Sequence, residues 1–123
     1  MQIHQSAEDY LETILMLNQR MGRVRSIDVV NELGYTKASV SIAMKKLREN
    51  GYIAVDGEGN LTLLEPGREI AERIYSRHRL LTHFFVQLGV DEEVAAEDAC
   101  KAEHILSEQT LEKIREYAPV SYT

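Results

Sequence analysis

The sequence holds a single cysteine, Cys100, so no disulfide can close within one chain. That residue is left three roles: a small hydrophobe, a metal ligand or a reactive thiol. No apolar run approaches the roughly 20 residues that a bilayer span requires. The N-terminal stretch carries Glu8, Asp9 and Glu12 where a signal peptide needs an uncharged apolar core. A cytoplasmic protein with no membrane partner is therefore expected. There is no internal repeat, no low-complexity segment, no HExxH and no nucleophile motif, so the chain does not read as an enzyme.

What is present is ordinary for a globular chain. Hydrophobic residues make up 44% of 123, which suits one compact unit or two small lobes. The net charge of −6 is unevenly spread. Between Arg20 and Arg48 lie Arg20, Arg23, Arg25, Lys37, Lys45, Lys46 and Arg48 against only Asp28 and Glu32. From Glu65 onward, acids outnumber bases twelve to seven. A polyanion responds to the local basic patch, because distant charges are screened within about 10 Å at moderate salt. The acidic half calls for its own explanation, and a cation site supplies one.

Apolar spacing and cap residues predict six helices and a hairpin. Ser6 to Met21 reads as a helix capped by Ser6, with Leu11, Ile14, Leu15 and Asn18 on one face and Gly22 at its end. Ser26 caps a short helix ended by Gly34, and Thr36 caps a third that runs to Asn50. Val40, Met44 and Leu47 form the apolar face of that third helix. Strands at Tyr52 to Val55 and Leu61 to Leu64 flank a Gly-rich turn. Pro66 opens a long helix to about Leu88, lined by Ile70, Ile74, Leu81, Phe84, Phe85 and Leu88. A further helix runs from Asp91 or Glu92 to about Leu106, and a last one from Ser107 to Tyr117, ended by Pro119.

This order predicts a mainly α chain: a winged helix-turn-helix over residues 1–64, then an all-helical domain over 65–123. In such a unit the N-terminal half of the second helix of the motif enters the major groove. Thr36, Lys37, Ser39 and Ser41 lie there, where short hydroxyls reach base edges or phosphates. Lys45, Lys46 and Arg48 lie further along, suited to phosphates, and Arg25 belongs to the same basic stretch. The plainer alternative is a three-helix scaffold with a solvated basic face.

Cys100, Glu103 and His104 are spaced by three and four, which places them on one helical face. Thiolate, carboxylate and imidazole together suit a first-row transition ion. The plainer alternative is a buried cysteine beside a surface Glu–His pair. Asp9 and Glu12, three apart beside the apolar arc of the first helix, and His78, at the margin of the long helix, strengthen the metal reading. His83 and His4 stand apart from it.

The runs Glu8-Asp9-Tyr10-Leu11-Glu12-Thr13-Ile14, Ser39-Val40-Ser41, Arg77-His78-Arg79-Leu80-Leu81, Gly89-Val90-Asp91-Glu92 and Cys100-Lys101-Ala102-Glu103-His104 resemble the diphtheria toxin repressor family of iron- and manganese-dependent repressors. The resemblance spans nearly the whole chain, in order. It implies a homodimer that binds a palindromic DNA operator when loaded with Mn(II) or Fe(II), with Zn(II), Co(II) or Ni(II) as substitutes in vitro. It implies control of metal-uptake genes.

In length the chain resembles the short manganese-regulator branch, which lacks the SH3-like third domain of the iron branch. Asp9, Glu12, His78, Glu103 and His104 match the manganese branch. Cys100 matches the iron branch, at a position where the manganese branch carries a bridging glutamate. The primary site expected is Asp9, Cys100, Glu103 and His104, with Glu12 and His78 offering a second. About 60 residues cannot comfortably bury Leu80, Leu88, Val90, Val94, Ile105, Leu106 and Leu111 alone, so a helical dimer interface is expected. A competing reading is a winged-helix regulator that responds to a small organic ligand or a protein partner, with Cys100 structural and no metal sensing.

Overall fold

The computed structural model describes residues 5–117; His4 and the Pro119 stop lie outside the described residues. The elements are α1 (Gln5–Met21), α2 (Ser26–Leu33), α3 (Lys37–Glu49), β1 (Ile53–Val55), β2 (Leu61–Leu63), α4 (Glu65–Gln87), α5 (Glu92–Ala102) and α6 (Glu108–Tyr117). No helix among the described residues is long and apolar enough to cross a membrane. The chain forms two compact units, one up to Glu72 and the other from Arg73, so that α4 contributes to both. The domain limits read from the sequence, 1–64 and 65–123, follow the start of α4 instead.

In the first unit, Leu11, Ile14, Val24, Val29 and Val40 are fully buried, joined by Leu15, Leu17, Met44, Leu47, Ile53, Leu61 and Leu63. The α1 face expected from spacing is the buried one, except that Asn18 is only half-buried. Helix starts differ from expectation by a residue. Ser6 lies inside α1, and Ser26 is the first helical residue of α2, so neither is the cap. Arg25 precedes α2 instead, and its backbone N–H donates to Asp28 Oδ2 at 2.9 Å. The turn between α2 and α3 uses Gly34 at φ 72°, whose N–H donates to Val30 O. A left-handed residue at that point favours glycine, which has no Cβ to clash.

Strands β1 and β2 pair antiparallel in the register Ile53↔Leu63, Ala54↔Thr62, Val55↔Leu61. Asp56 organises the connecting turn. Its Oδ1 accepts from the backbone N–H groups of Glu58 and Asn60, and its Oδ2 accepts from Asn60 Nδ2. Those bonds, the Asn60 backbone and side chain first, hold its carboxyl below the usual aspartate range.

The opening turn of α4 is fixed by backbone contact. A Cβ placed on Gly67 would lie 2.2 Å from the carbonyl oxygen of Tyr52. Replacing an interior helical glycine with alanine ordinarily adds about 0.5–1 kcal/mol of stability. Here the sign reverses. Gly67→Ala is expected to cost about 1–3 kcal/mol through overpacking, read as a lowered urea midpoint with an unchanged slope. A stabilised variant would show that the close approach is not enforced.

In the second unit, Leu80, Leu81, Ala99 and Leu111 form a fully buried core, with Phe85, Ala102, Leu106 and Ile114 packed against it. Two expectations change here. Of the apolar set too large for one lobe to bury, Leu80 and Leu111 belong to this core, whereas Leu88 (64%) and Ile105 (76%) are the most exposed. Leu88 also falls beyond the end of α4, so it does not extend that helix's buried face. Second, α5 stops at Ala102 rather than near Leu106. Ile105 and Leu106 both donate their N–H to the Ala102 carbonyl, which closes a tight turn. Ser107 then caps α6, its Oγ accepting from Thr110 N at 3.2 Å.

Candidate metal centre and nucleic-acid interface

Because α5 ends early, Glu103 and His104 lie in the turn between α5 and α6. That turn faces α4 within the second unit. Glu103 is fully buried, with its two carboxylate oxygens on different imidazoles. Oε2 lies 3.0 Å from His78 Nδ1, and Oε1 lies 3.4 Å from His104 Nε2. The His104 side chain is almost wholly buried, and that of His78 is about one-fifth exposed.

The donor set suits a transition ion. Bonds of about 2.0–2.2 Å to imidazole nitrogen and carboxylate oxygen place neighbouring donors roughly 3.0–3.5 Å apart, the range observed here. A carboxylate with one oxygen on each histidine can serve one ion in chelating fashion or two as a bridge. The Glu103–His78 and Glu103–His104 pairs of this unit therefore each offer donors that fit a divalent metal.

Cys100 departs from expectation. It is exposed on α5, and Cys100, Glu103 and His104 do not converge as a three-donor group. Asp9 and Glu12 both lie on α1 in the first unit, Asp9 half-buried and Glu12 buried.

Arg77 has a role that spacing did not reveal. Its Nη1 donates to the Glu103 carbonyl oxygen at 3.2 Å, and its Nη2 pairs with the Glu108 carboxylate. One guanidinium thus ties α4 to both ends of the turn that presents Glu103 and His104. A cation directly before His78 in the acidic half was the available signal. Arg77→Met keeps most of the apolar stem and removes the fork. It is expected to weaken metal binding about tenfold, a typical loss for a group that orients a ligand, with the helical circular dichroism signal unchanged. Unaltered affinity by isothermal titration calorimetry would remove Arg77 from this role.

In the first unit, α3 turns Val40, Met44 and Leu47 inward. Lys37, Ser39, Ser41, Lys45, Lys46 and Arg48 are all exposed. Thr36 caps the helix as expected, its Oγ1 accepting from Ser39 N at 3.1 Å while its own hydroxyl donates to Ser39 Oγ at 2.9 Å. Ser39 therefore keeps its hydroxyl proton for an acceptor such as a base edge or a phosphate.

Arg25 is placed at the wing. Its backbone bridges to Asn60, and its Nε and Nη2 both donate to the Glu58 carbonyl. Tyr35, unnoticed in the sequence, precedes the α3 cap and meets Tyr10 of α1 edge-to-face, with centroids 5.8 Å apart. Burial, then Tyr35 and Asp9, raise the Tyr10 phenol above its ordinary range.

Comparison with known proteins agrees with both halves. Residues 2–61 match the description "Iron dependent repressor, N-terminal DNA binding domain", and residues 64–118 match "Iron dependent repressor, metal binding and dimerisation domain". An uncharacterised HTH-type transcriptional regulator of Methanocaldococcus jannaschii is 36% identical over 113 residues, covering 90% of each chain. The HTH-type transcriptional regulator MntR of Lysinibacillus sphaericus is 33% identical over 115 residues, covering 94% of this chain and 83% of that one. A solved manganese-dependent transcriptional repressor in complex with manganese superposes with a TM-score of 0.83 at 28% identity, over 90% of this chain. The chain spans about half the length of that structure, 51%.

Proposed function

The chain belongs to the iron-dependent repressor family, whose curated relatives here are transcriptional regulators and not enzymes, and we propose that it represses metal-uptake genes when loaded with Mn(II) or Fe(II). In this reading a homodimer presents two copies of α3 to a palindromic operator. Lys45, Lys46 and Arg48 hold the phosphates while Thr36, Lys37, Ser39 and Ser41 meet the groove. The observation that carries the metal half is Glu103, buried, with one oxygen on each of two histidines.

The ligand set extends to α1. Asp9 and Glu12 are its candidates there, as the sequence motifs name them, added to His78, Glu103 and His104 for two ions per chain. Three residues apart, Asp9 and Glu12 project from the same side of α1. Metal would then tie the first unit to the second and select one spacing of the two recognition helices, lowering the ordering cost left to DNA binding. The hard oxygens favour Mn(II). Cys100 would enter the set only by turning its side chain toward the ion, and would then draw preference toward Fe(II) or Zn(II).

The test is a pair of titrations on the intact chain. Calorimetry with MnCl2 should give two ions per chain. Anisotropy against the chain's own promoter region should show tight binding only with metal, and weaker binding after chelation. Operator affinity that ignores metal would replace this reading with regulation by a small organic ligand or a protein partner. Cys100→Ser with unchanged Fe(II) and Zn(II) affinity would remove the thiol from the set.

A further inference from the structure

Ile42 is the large apolar side chain that α3 leaves in solvent, 58% exposed. At about 100° per residue it sits roughly 140–160° around the helix from Val40, Met44 and Leu47, the three residues that α3 buries. It therefore points directly away from the unit's core. Ala38 lies one turn earlier on the same outward face, with Ser39, Lys45 and Lys46 around them, all exposed. Single exposed apolar residues are common. This one stands at the centre of the face that carries the hydroxyl and cationic donors.

We propose that Ile42, with Ala38 beside it, packs on the C5-methyl group of a thymine in the major groove and selects a T·A pair at one position of each half-site. The proposal rests on the DNA-binding reading of α3. Among groove-edge groups, that methyl is the apolar one, and it separates thymine from cytosine by shape. The serines donate or accept hydrogen bonds and the lysines favour guanine or phosphate, so neither recognises a methyl group. Charge chooses the occupant: Lys37, Lys45, Lys46 and Arg48 lie on the same helix, which invites a polyanion and would desolvate badly against an apolar protein groove.

The experiment needs no known operator. The wild-type chain, with Mn(II), enriches a duplex from a randomised pool, and each thymine of that duplex is replaced in turn by deoxyuridine. The replacement removes only the methyl. Wild type should lose about fourfold in affinity at one position per half-site, the value of one buried methyl group. Ile42→Ala, altered in both subunits, should bind the unmodified duplex about as weakly as wild type binds a duplex replaced in both half-sites, and ignore the replacement. Ile42→Val should keep most of the discrimination, which guards against a disturbed helix. An undiminished deoxyuridine penalty in Ile42→Ala, or no penalty at any thymine for wild type, overturns the proposal and leaves DNA binding standing. A wild-type chain that enriches no duplex overturns both.

Discussion

Glu103→Gln is expected to bind neither ion and to lose the metal dependence of operator affinity. Glutamine fills nearly the same volume, so the buried site keeps its packing. What disappears is the charge and the second equivalent oxygen. In wild type Oε2 faces His78 and Oε1 faces His104, so one substitution removes a ligand from both proposed ions. His78→Ala and His104→Ala should each remove one ion and leave the other. Operator affinity with saturating Mn(II) should fall by more than a hundredfold in Glu103→Gln, equivalent to about 3 kcal/mol of coupling. Linkage then requires operator DNA to tighten Mn(II) binding to wild type by the same factor. Calorimetry of Mn(II) with and without duplex, beside anisotropy of the variant, measures both sides. A Glu103→Gln chain that still binds two ions would sink the bridging role.

Leu111→Ala is expected to unfold the second unit, whereas Ile105→Ala should leave it folded and weaken the dimer. Leu111 is fully buried and forms the core with Leu80, Leu81 and Ala99. Truncating a buried leucine costs about 2–5 kcal/mol, a large share of the roughly 5–15 kcal/mol that stabilises a whole domain. Ile105 is 76% exposed in the single chain, so its truncation should change monomer stability by less than about 0.5 kcal/mol. Urea melts followed by circular dichroism separate the two variants, and sedimentation equilibrium reports the dimer. Equal effects on stability would contradict the assignment of Leu111 to the core and of Ile105 to the surface.

Most of the first unit was legible residue by residue. Thr36 caps α3, Gly34 turns the chain before it, and the Val40, Met44, Leu47 seam is the buried face. These features follow from local rules: a cap needs a side-chain acceptor, a left-handed residue favours glycine, and an amphipathic helix repeats every three to four residues. The same rules missed by one residue at Ser26, because the Arg25 N–H finds Asp28 and begins the helix turn there. They marked Arg25 by its charge and gave no sign that its guanidinium donates to the wing's Glu58 carbonyl.

The candidate site divides along the same line. The sequence by itself determined which residues have metal-binding chemistry, since imidazoles and carboxylates are written in the chain and the family runs place them. It also determined that α3 is basic and outward-facing, because period and charge are properties of consecutive residues. Only the tertiary structure decided that His78 meets Glu103 across 25 positions, that Arg77 straps the turn, and that Cys100 is exposed on α5. The setting of Glu103 and His104 depends on where α5 ends, which spacing does not mark: the Ala102 carbonyl accepts from both Ile105 and Leu106, and Ser107 caps α6. Helix ends turn on differences of about one hydrogen bond, 0.5–1.5 kcal/mol, which residue spacing cannot resolve, and here two proposed ligands lie just past that end.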